Sequence, residues 1–325
     1  MQISNEMLYR KCGNSGLYLS AFAFGLWNNF GLTAPYDTKR ELLLTAIENG
    51  ITHIDGANNY GPPAGGAELF LGEMLKGELK AHRDELIIST KAGYDMWPGR
   101  YGTGGSRKYL MASLNQSMKR MNLDYLDIFY HHTPDANTPL EETAEALADM
   151  VKQGKVLYIG ISNYDAEGTK EMAELLGKRG VPLLINQLRY NMLQREAEDE
   201  LLPVLQQEGI GSIAFTPLEQ GMLTNKYLNG IPADSRVNSK DSPYLNKEDI
   251  TKERIQIVKG LNEIAANRGQ SLAQMATSWC IREGGTTTAI IGASKTKQIL
   301  ENVEAAKKTK FSEDELKQID KVLKG

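Results

Sequence analysis

About eight short runs rich in Val, Ile, Phe and Tyr recur along the chain, and a helix-like stretch separates each run from the next. The runs are LSAFAFGL (19–26), ITHIDGA (51–57), ELIISTKA (85–92), YLDIFYHH (125–132), KVLYIGIS (155–162), PLLINQL (182–188), IGSIAFTPL (210–218) and TTTAIIGA (286–293). Helical patterning falls near 38–49, 67–76, 107–121, 140–153, 166–178, 197–208 and 252–268, with more after the last run. Such alternation implies parallel strands joined by right-handed crossovers. Over 325 residues it fits a closed (β/α)8 TIM barrel. The expected architecture is an α/β fold, a parallel closed eight-stranded sheet forming one domain over residues 1–325, with long loops at the C-terminal face. An open doubly wound sheet is the runner-up, but it calls for a glycine fingerprint after the first strand, where this chain has GLWNNFG. GTGGS (102–106) lies in a long loop, a poor context for a phosphate cradle.

Local signals set element boundaries. Thr38 and Glu41 form a capping-box pattern that predicts a helix starting at Lys39, and Asn49 with Gly50 closes it. Thr138 and Pro139 predict the start of the helix from Leu140, with Gly154 at its end. Two loops, 93–107 and roughly 219–250, are longer than connections require, as functional loops are.

Composition excludes several function classes. The charge sum is 37 − 41 = −4, which argues against a broad nucleic-acid surface. Cys12 and Cys280 are too few for a disulfide framework or a cysteine zinc site and read as reduced thiols. No apolar run reaches the ~18 residues of a membrane span, and the N-terminus has no apolar signal core. A cytoplasmic protein without a membrane partner is the expectation.

In a barrel, chemistry sits where strands end. Asp55, Lys91 and His132 close the second, third and fourth runs, and period-two counting puts each on the same face as Ile51 and His53, Ile87 and Ser89, or Ile128 and Tyr130. Neighbouring strands lie ~4.8 Å apart, so the three can meet at one corner, with Tyr60 folding back over them. A buried lysine needs a partner, and Asp55 is the nearest. A free phenol has a pKa near 10, and a neighbouring ammonium lowers it. Tyr60 then reads as a general acid for an oxygen that gains charge, with His132 orienting the substrate. His53 and His131 read as structural and His82 as a surface residue. A metal set of His53, Asp55, His131 and His132 is the weakest alternative, so no metal is expected. GASK before the last helical stretch offers an anion site at a helix N-terminus, although Ser294 is also simply a good N-cap.

The segments GITHIDGANNYG, ELIISTKAG, LDYLDIFYHHTPD, GKVLYIGISNY, INQLRYNMLQRE, IAFTPLEQGMLTNKYLNGIPADSR and IIGASKTKQILENV together resemble the aldo-keto reductases over nearly the whole chain. Within that family the chain is similar to the branch holding the voltage-gated potassium channel β-subunits. GPPAGGAE and STKAGYDMWPGRYGTGGSRKYL look most like that branch's bacterial reductases of small aldehydes. The resemblance implies an NADP(H)-dependent barrel with the tetrad Asp55, Tyr60, Lys91 and His132. It assigns Ser162, Asn163 and Gln187 to the nicotinamide carboxamide and Phe215 to stacking on its ring. Thr216, Pro217, Leu218, Gln220, Gly221, Lys226 and Arg236 fall to the pyrophosphate clamp. Gly292, Ser294, Gln298, Glu301 and Asn302 fall to the adenosine end, and Gly25, Leu26 and Trp27 to the turn under the cofactor, which Asp55 also borders. Trp27, Tyr60, Trp97 and His132 would line a pocket for a small aldehyde such as glyceraldehyde 3-phosphate or methylglyoxal. Arg100, Arg107 or Lys108 would meet a substrate phosphate. The branch implies a homo-oligomer, a tetramer or octamer. Gln298 stands where many relatives place an arginine, which weakens a preference for NADPH over NADH without reversing it. The channel subunits lack a histidine where His132 stands, which favours a reductase over the rival reading, a redox-sensing scaffold.

Overall fold

The structure, a computed structural model, describes residues 1–228, 230–231 and 247–324. Eight parallel strands close a barrel in the order β10-β3-β4-β5-β6-β7-β8-β9. They are β3 (Phe22–Gly25), β4 (His53–Asp55), β5 (Ile87–Ala92), β6 (Leu126–His131), β7 (Val156–Ser162), β8 (Leu183–Arg189), β9 (Gly211–Phe215) and β10 (Thr288–Ile291). Around them lie α1 (Tyr36–Glu48), α2 (Gly66–Lys76), α3 (Arg107–Met121), α4 (Leu140–Lys152), α5 (Ala166–Gly177), α6 (Leu201–Glu208), α7 (Lys252–Asn267), α8 (Leu272–Cys280), α9 (Thr296–Ala306) and α10 (Glu313–Lys324). The expected fold class is observed. Among the described residues no helix is long and apolar enough to cross a membrane.

Strand alternation sorts the core into two layers. Outward residues such as Phe22, Phe24, Ile54, Ile88, Phe129 and Ile159 pack beneath the helices. Inward residues Ala23, Ile87, Ile128, Tyr130, Ile185 and Ile213 fill the barrel floor together with Cys12 and Leu19. Those last two belong to an antiparallel hairpin, β1 (Tyr9–Lys11) with β2 (Tyr18–Ser20), that plugs the N-terminal end. The run 19–26 therefore is not one strand. It breaks at Ala21, whose N–H bonds Leu8 O at 2.7 Å, and only Phe22–Gly25 enters the barrel. An unbroken apolar run carries no mark of this break, because both halves are buried.

Two other expectations need correction. Helix α1 starts at Tyr36 behind Pro35, not at Lys39, and no side chain caps it. Proline at the helix entrance supplies the fixed φ that starts the turn earlier. Helix α8 follows α7 directly and was not anticipated; Ser271 and Gln274 form its capping box. The boundaries of α3 agree with the sequence reading, with Ser106 as the N-cap.

Candidate active site

Register places the tetrad. In the β4–β5 ladder Asp55 pairs with Ser89, and in the β5–β6 ladder Lys91 pairs with Tyr130. Asp55 and Lys91 both end inward-facing rows and are fully enclosed. Lys91 Nζ lies 2.6 Å from Asp55 Oδ2 and donates a second bond, also 2.6 Å, to Gly56 O. Burial pushes the Lys91 pKa below the ordinary lysine value, and the Asp55 carboxylate opposes that push. A bare ammonium could not stay charged there; the paired one can.

Tyr60 arrives from the turn after β4. Its ring centre is 5.1 Å from Lys91 Nζ. That turn is pinned to β5 by backbone bonds from Gly56 N–H to Ser89 O and from Asn58 N–H to Lys91 O, each 2.9 Å. It is pinned to α2 by Ala67 N–H bonding Tyr60 O at 3.2 Å. Helix α2 is itself tied down by the buried Glu68, which accepts from Thr90 on β5 at 2.5 Å and from Arg120 on α3 at 2.6 Å. The phenol is thus carried on a loop held by β5 and α2.

His132 is buried at the end of β6, its ring 6.1 Å from that of Tyr60. Burial, then Lys91 and His131, hold its pKa well below the ordinary histidine value, so it is neutral at pH 7. A neutral imidazole beside a phenol can share a hydrogen bond with a substrate oxygen. His131, one residue earlier, faces the helices and bonds Tyr164 Oη through Nδ1 at 2.6 Å. Alternation therefore splits the four residues of the metal alternative. Among the described residues no His/Cys/Asp/Glu group is arranged to hold a metal.

The opposite wall is more open. Gln187 reaches across from β8 with Nε2 at 3.4 Å from Asp55 Oδ1. Ser162 is buried, and Asn163, at φ 62°, donates from Nδ2 to His132 O at 3.0 Å and to Ser162 Oγ at 3.2 Å. Phe215 is half-buried at the end of β9. Thr216 follows it at φ 55°, a strained backbone for a β-branched residue, and its buried hydroxyl has no partner among the described residues. Pro217, Leu218, Gln220 and Gly221 complete this turn, and Lys226 sits in the next, where Thr224 Oγ1 accepts its N–H. Arg236 lies outside the described residues.

Gly25 ends β3 and Leu26 follows it, with Leu26 N–H bonded to Asp55 O at 3.0 Å. Trp27 is half-buried, and Asn29 Nδ2 bonds Ala293 O at 3.3 Å, joining this turn to the one after β10. There Gly292 is exposed, with nothing within 4 Å of where a Cβ would stand. Ser294 does not cap α9. Gln298 reaches back instead, and its Oε1 accepts from Ser294 N–H at 2.8 Å and Lys295 N–H at 3.2 Å. Asn302 is buried and bonds Gln298 O, while Glu301 faces Lys297 at 3.8 Å.

Third-loop residues divide. Trp97 packs on Tyr109 at 5.2 Å. The aromatic beside His132 is Tyr94, at 4.7 Å, which sequence reasoning missed. Its signal was its place three residues beyond Lys91. Arg107 is engaged with Asp149 at 2.5 Å, and the Lys108 ammonium sits over the Tyr101 ring at 5.2 Å. Arg107, the first residue of α3, is thus paired with α4 while its side chain stays partly exposed. Arg100 is exposed. Arg189, also missed, ends β8 with its guanidinium 5.6 Å above the Phe215 ring and no ion pair among the described residues.

A cleft with a buried lysine–carboxylate pair and a phenol on one wall, and an open aromatic and strained polar turns on the other, suits acid-assisted reduction of a carbonyl. The sequence pattern of the Aldo/keto reductase family matches residues 21–324, beginning where the barrel begins. The chain is 54% identical over 318 residues to L-glyceraldehyde 3-phosphate reductase of Escherichia coli (strain K12), spanning 97% of this chain and 92% of that protein. It is 34% identical over 309 residues to a probable voltage-gated potassium channel subunit beta of Arabidopsis thaliana, spanning 92% and 91%. The chain therefore belongs to the aldo/keto reductase family, and it is an oxidoreductase.

Proposed function

We propose that the protein reduces small aldehydes to alcohols with NADPH, Tyr60 acting as the general acid. One observation carries the reading: the buried Lys91 ammonium, held by Asp55 and Gly56 O, sits against the ring of the half-buried Tyr60. An ammonium there stabilises the phenolate left behind when the proton moves to the carbonyl oxygen. His132, neutral, orients that oxygen. The nicotinamide supplies hydride to the carbonyl carbon when bound. Ser162, Asn163 and Gln187 would hold its carboxamide and Phe215 its ring face. The unpaired Thr216 hydroxyl and the open Gly292 fit a dinucleotide crossing the mouth, with Leu218, Gln220, Gly221 and Lys226 along its phosphates. Glu301, Asn302, Ser294 and Gln298 would border the adenosine end.

The 54% relative supports a small phosphorylated aldehyde as substrate, with glyceraldehyde 3-phosphate first and methylglyoxal second. Arg189, without an ion pair among the described residues, and the exposed Arg100 are the cations offered to its phosphate. The channel-subunit relatives support a second reading, a cofactor-binding, redox-sensing scaffold for a partner protein; a cytoplasmic homo-oligomer, tetramer or octamer, is proposed with either reading. His132 beside Tyr60 favours turnover.

The test follows NADPH absorbance with glyceraldehyde 3-phosphate, methylglyoxal and an aromatic aldehyde, repeated with NADH. Turnover is expected with NADPH, and Tyr60→Phe should lower kcat by ~10²–10⁴. Unchanged activity in Tyr60→Phe, or none in the wild type with any aldehyde, sinks the reductase reading.

A further inference from the structure

Ser89 and His53 occupy the inward face of the barrel directly beneath the tetrad, and neither is exposed. Both sit two residues before a tetrad member, His53 before Asp55 on β4 and Ser89 before Lys91 on β5. Ser89 Oγ lies 2.8 Å from Asp55 Oδ1, 2.9 Å from His53 Nε2 and 3.3 Å from Ile54 O. We propose that Ser89 and His53 are positioning residues that lock the Asp55 carboxylate, and through it the Lys91 ammonium, for proton transfer at Tyr60. The proposal rests on the reading of Tyr60 and Lys91 as the proton-donating pair.

A hydroxyl has one proton to give. The ionised carboxylate is the strongest acceptor in reach, and it is also the closest. Ser89 therefore donates to Asp55, and its oxygen is left to accept. Only the Nε2–H tautomer of His53 can supply that bond. His53 Nδ1 is buried with no hydrogen-bond partner among the described residues, so none of them holds the proton on that nitrogen. In the opposite tautomer Nε2 would take the Ser89 proton and turn the hydroxyl away from Asp55.

The result is a two-point hold. Ser89 fixes Oδ1 and Lys91 fixes Oδ2, so the carboxylate cannot rotate. Without Ser89, Oδ1 keeps, among the described residues, only Gln187 Nε2 at 3.4 Å, a long bond. Besides Tyr60, the titratable groups facing the pair are His53, His132, Tyr130 and, from α2, Glu68, whose carboxylate also favours the charged ammonium. Burial keeps His53 neutral down to about 4, keeps His132 neutral and keeps the Tyr130 phenol protonated well above its ordinary range.

Two measurements test this. With ¹⁵N-labelled histidine, NMR between pH 5 and 8 should show His53 as neutral Nε2–H; an Nδ1–H tautomer overturns the proposal whether or not any aldehyde is reduced. In steady-state kinetics with NADPH and methylglyoxal, Ser89→Ala should lower kcat about tenfold, the size of one charge-assisted hydrogen bond, with little change in KM. It should also move the alkaline limb of the kcat profile upward, because a loosened ammonium stabilises the phenolate less. His53→Leu should lower kcat less than Ser89→Ala and move the limb the same way, because Ser89 can still donate to Asp55 but its hydroxyl is no longer oriented, and His53→Gln, which keeps a donor near the Nε2 position, should recover most of that smaller loss. A fall in kcat with an unmoved limb, or His53→Gln no better than His53→Leu, overturns it. If His53→Leu does not fold, the limb in Ser89→Ala decides alone. Turnover in the wild type with a normal Ser89→Ala removes this proposal and leaves the reductase reading standing.

Discussion

The two walls of the cleft are built differently. Along β4–β6 the polar groups face one another: Asp55, Lys91, Ser89 and His53 are linked by bonds between 2.6 and 2.9 Å, buried and without backbone strain, although His53 Nδ1 itself has no partner among the described residues. Along β8–β10 the polar groups are less completely paired. Thr216, Glu219 and Gln220 have positive φ, the Thr216 hydroxyl is unpaired, and Arg189 has no ion pair among the described residues. The first wall is organised before any ligand arrives. The second keeps donors and strain that a bound molecule can use. Proton transfer tolerates little misplacement, whereas a dinucleotide can draw loops onto itself.

This contrast can be broken from either side. The largest effect is expected at Lys91. Lys91→Met leaves Asp55 buried without its counter-ion, so stability should fall by about 3–5 kcal/mol. Chemical denaturation measures it, and a loss under about 1 kcal/mol would show that the first wall is not pre-paired.

The next effect is in pH. His53 and His131 are both held down to about 4 by burial, while an unfolded histidine titrates near 6.5. Between these values the unfolded chain binds more protons, so stability is full above about pH 6.5 and is lost as pH falls toward 4. The slope is about 1.4 kcal/mol per pH unit per histidine, an upper bound. His53→Gln should flatten the dependence of Tm on pH between 4 and 6.5, and an unchanged slope would contradict the buried neutral state.

On the open wall, Arg189→Ala should leave stability within about 0.5 kcal/mol and raise KM for glyceraldehyde 3-phosphate about tenfold, with methylglyoxal unaffected. Equal changes for both aldehydes would move Arg189 from the substrate to the cofactor or to neither. The smallest effect belongs to Gln298. Gln298→Ala frees the N–H groups of Ser294 and Lys295 and should cost about 0.5–1 kcal/mol by loss of the cap. The Kd for NADPH, read by fluorescence, should change more than that for NADH if this turn meets the 2′-phosphate.

Much of the first wall was legible in the sequence. Asp55, Lys91 and His132 lie on successive strands at matching positions, and period-two counting finds them without coordinates. Tyr94 was marked only by its place three residues beyond Lys91, since a loop residue has no period. The fates of Arg107 and Lys108 were hidden for a related reason. Asp149 lies on α4, far along the chain, and only the packing of α3 against α4 brings it to Arg107. The Gln298 cap was missed because Ser294 carried the stronger local signal. The break at Ala21 was missed because burial on both sides of it looks the same in sequence.

What the amino-acid order determined alone was the alternation of strand and helix, the eight-stranded closure it implies, and the parity that sends Asp55, Ser89 and Lys91 inward together. These follow from local periodicity, which every residue carries within a few neighbours. Only the tertiary structure decided which oxygen of Asp55 meets Lys91 and which meets Ser89, that the terminal hairpin seals the floor, and that Tyr94 rather than Trp97 stands beside His132. Those depend on barrel shear and loop packing, where residues tens of positions apart compete for the same space.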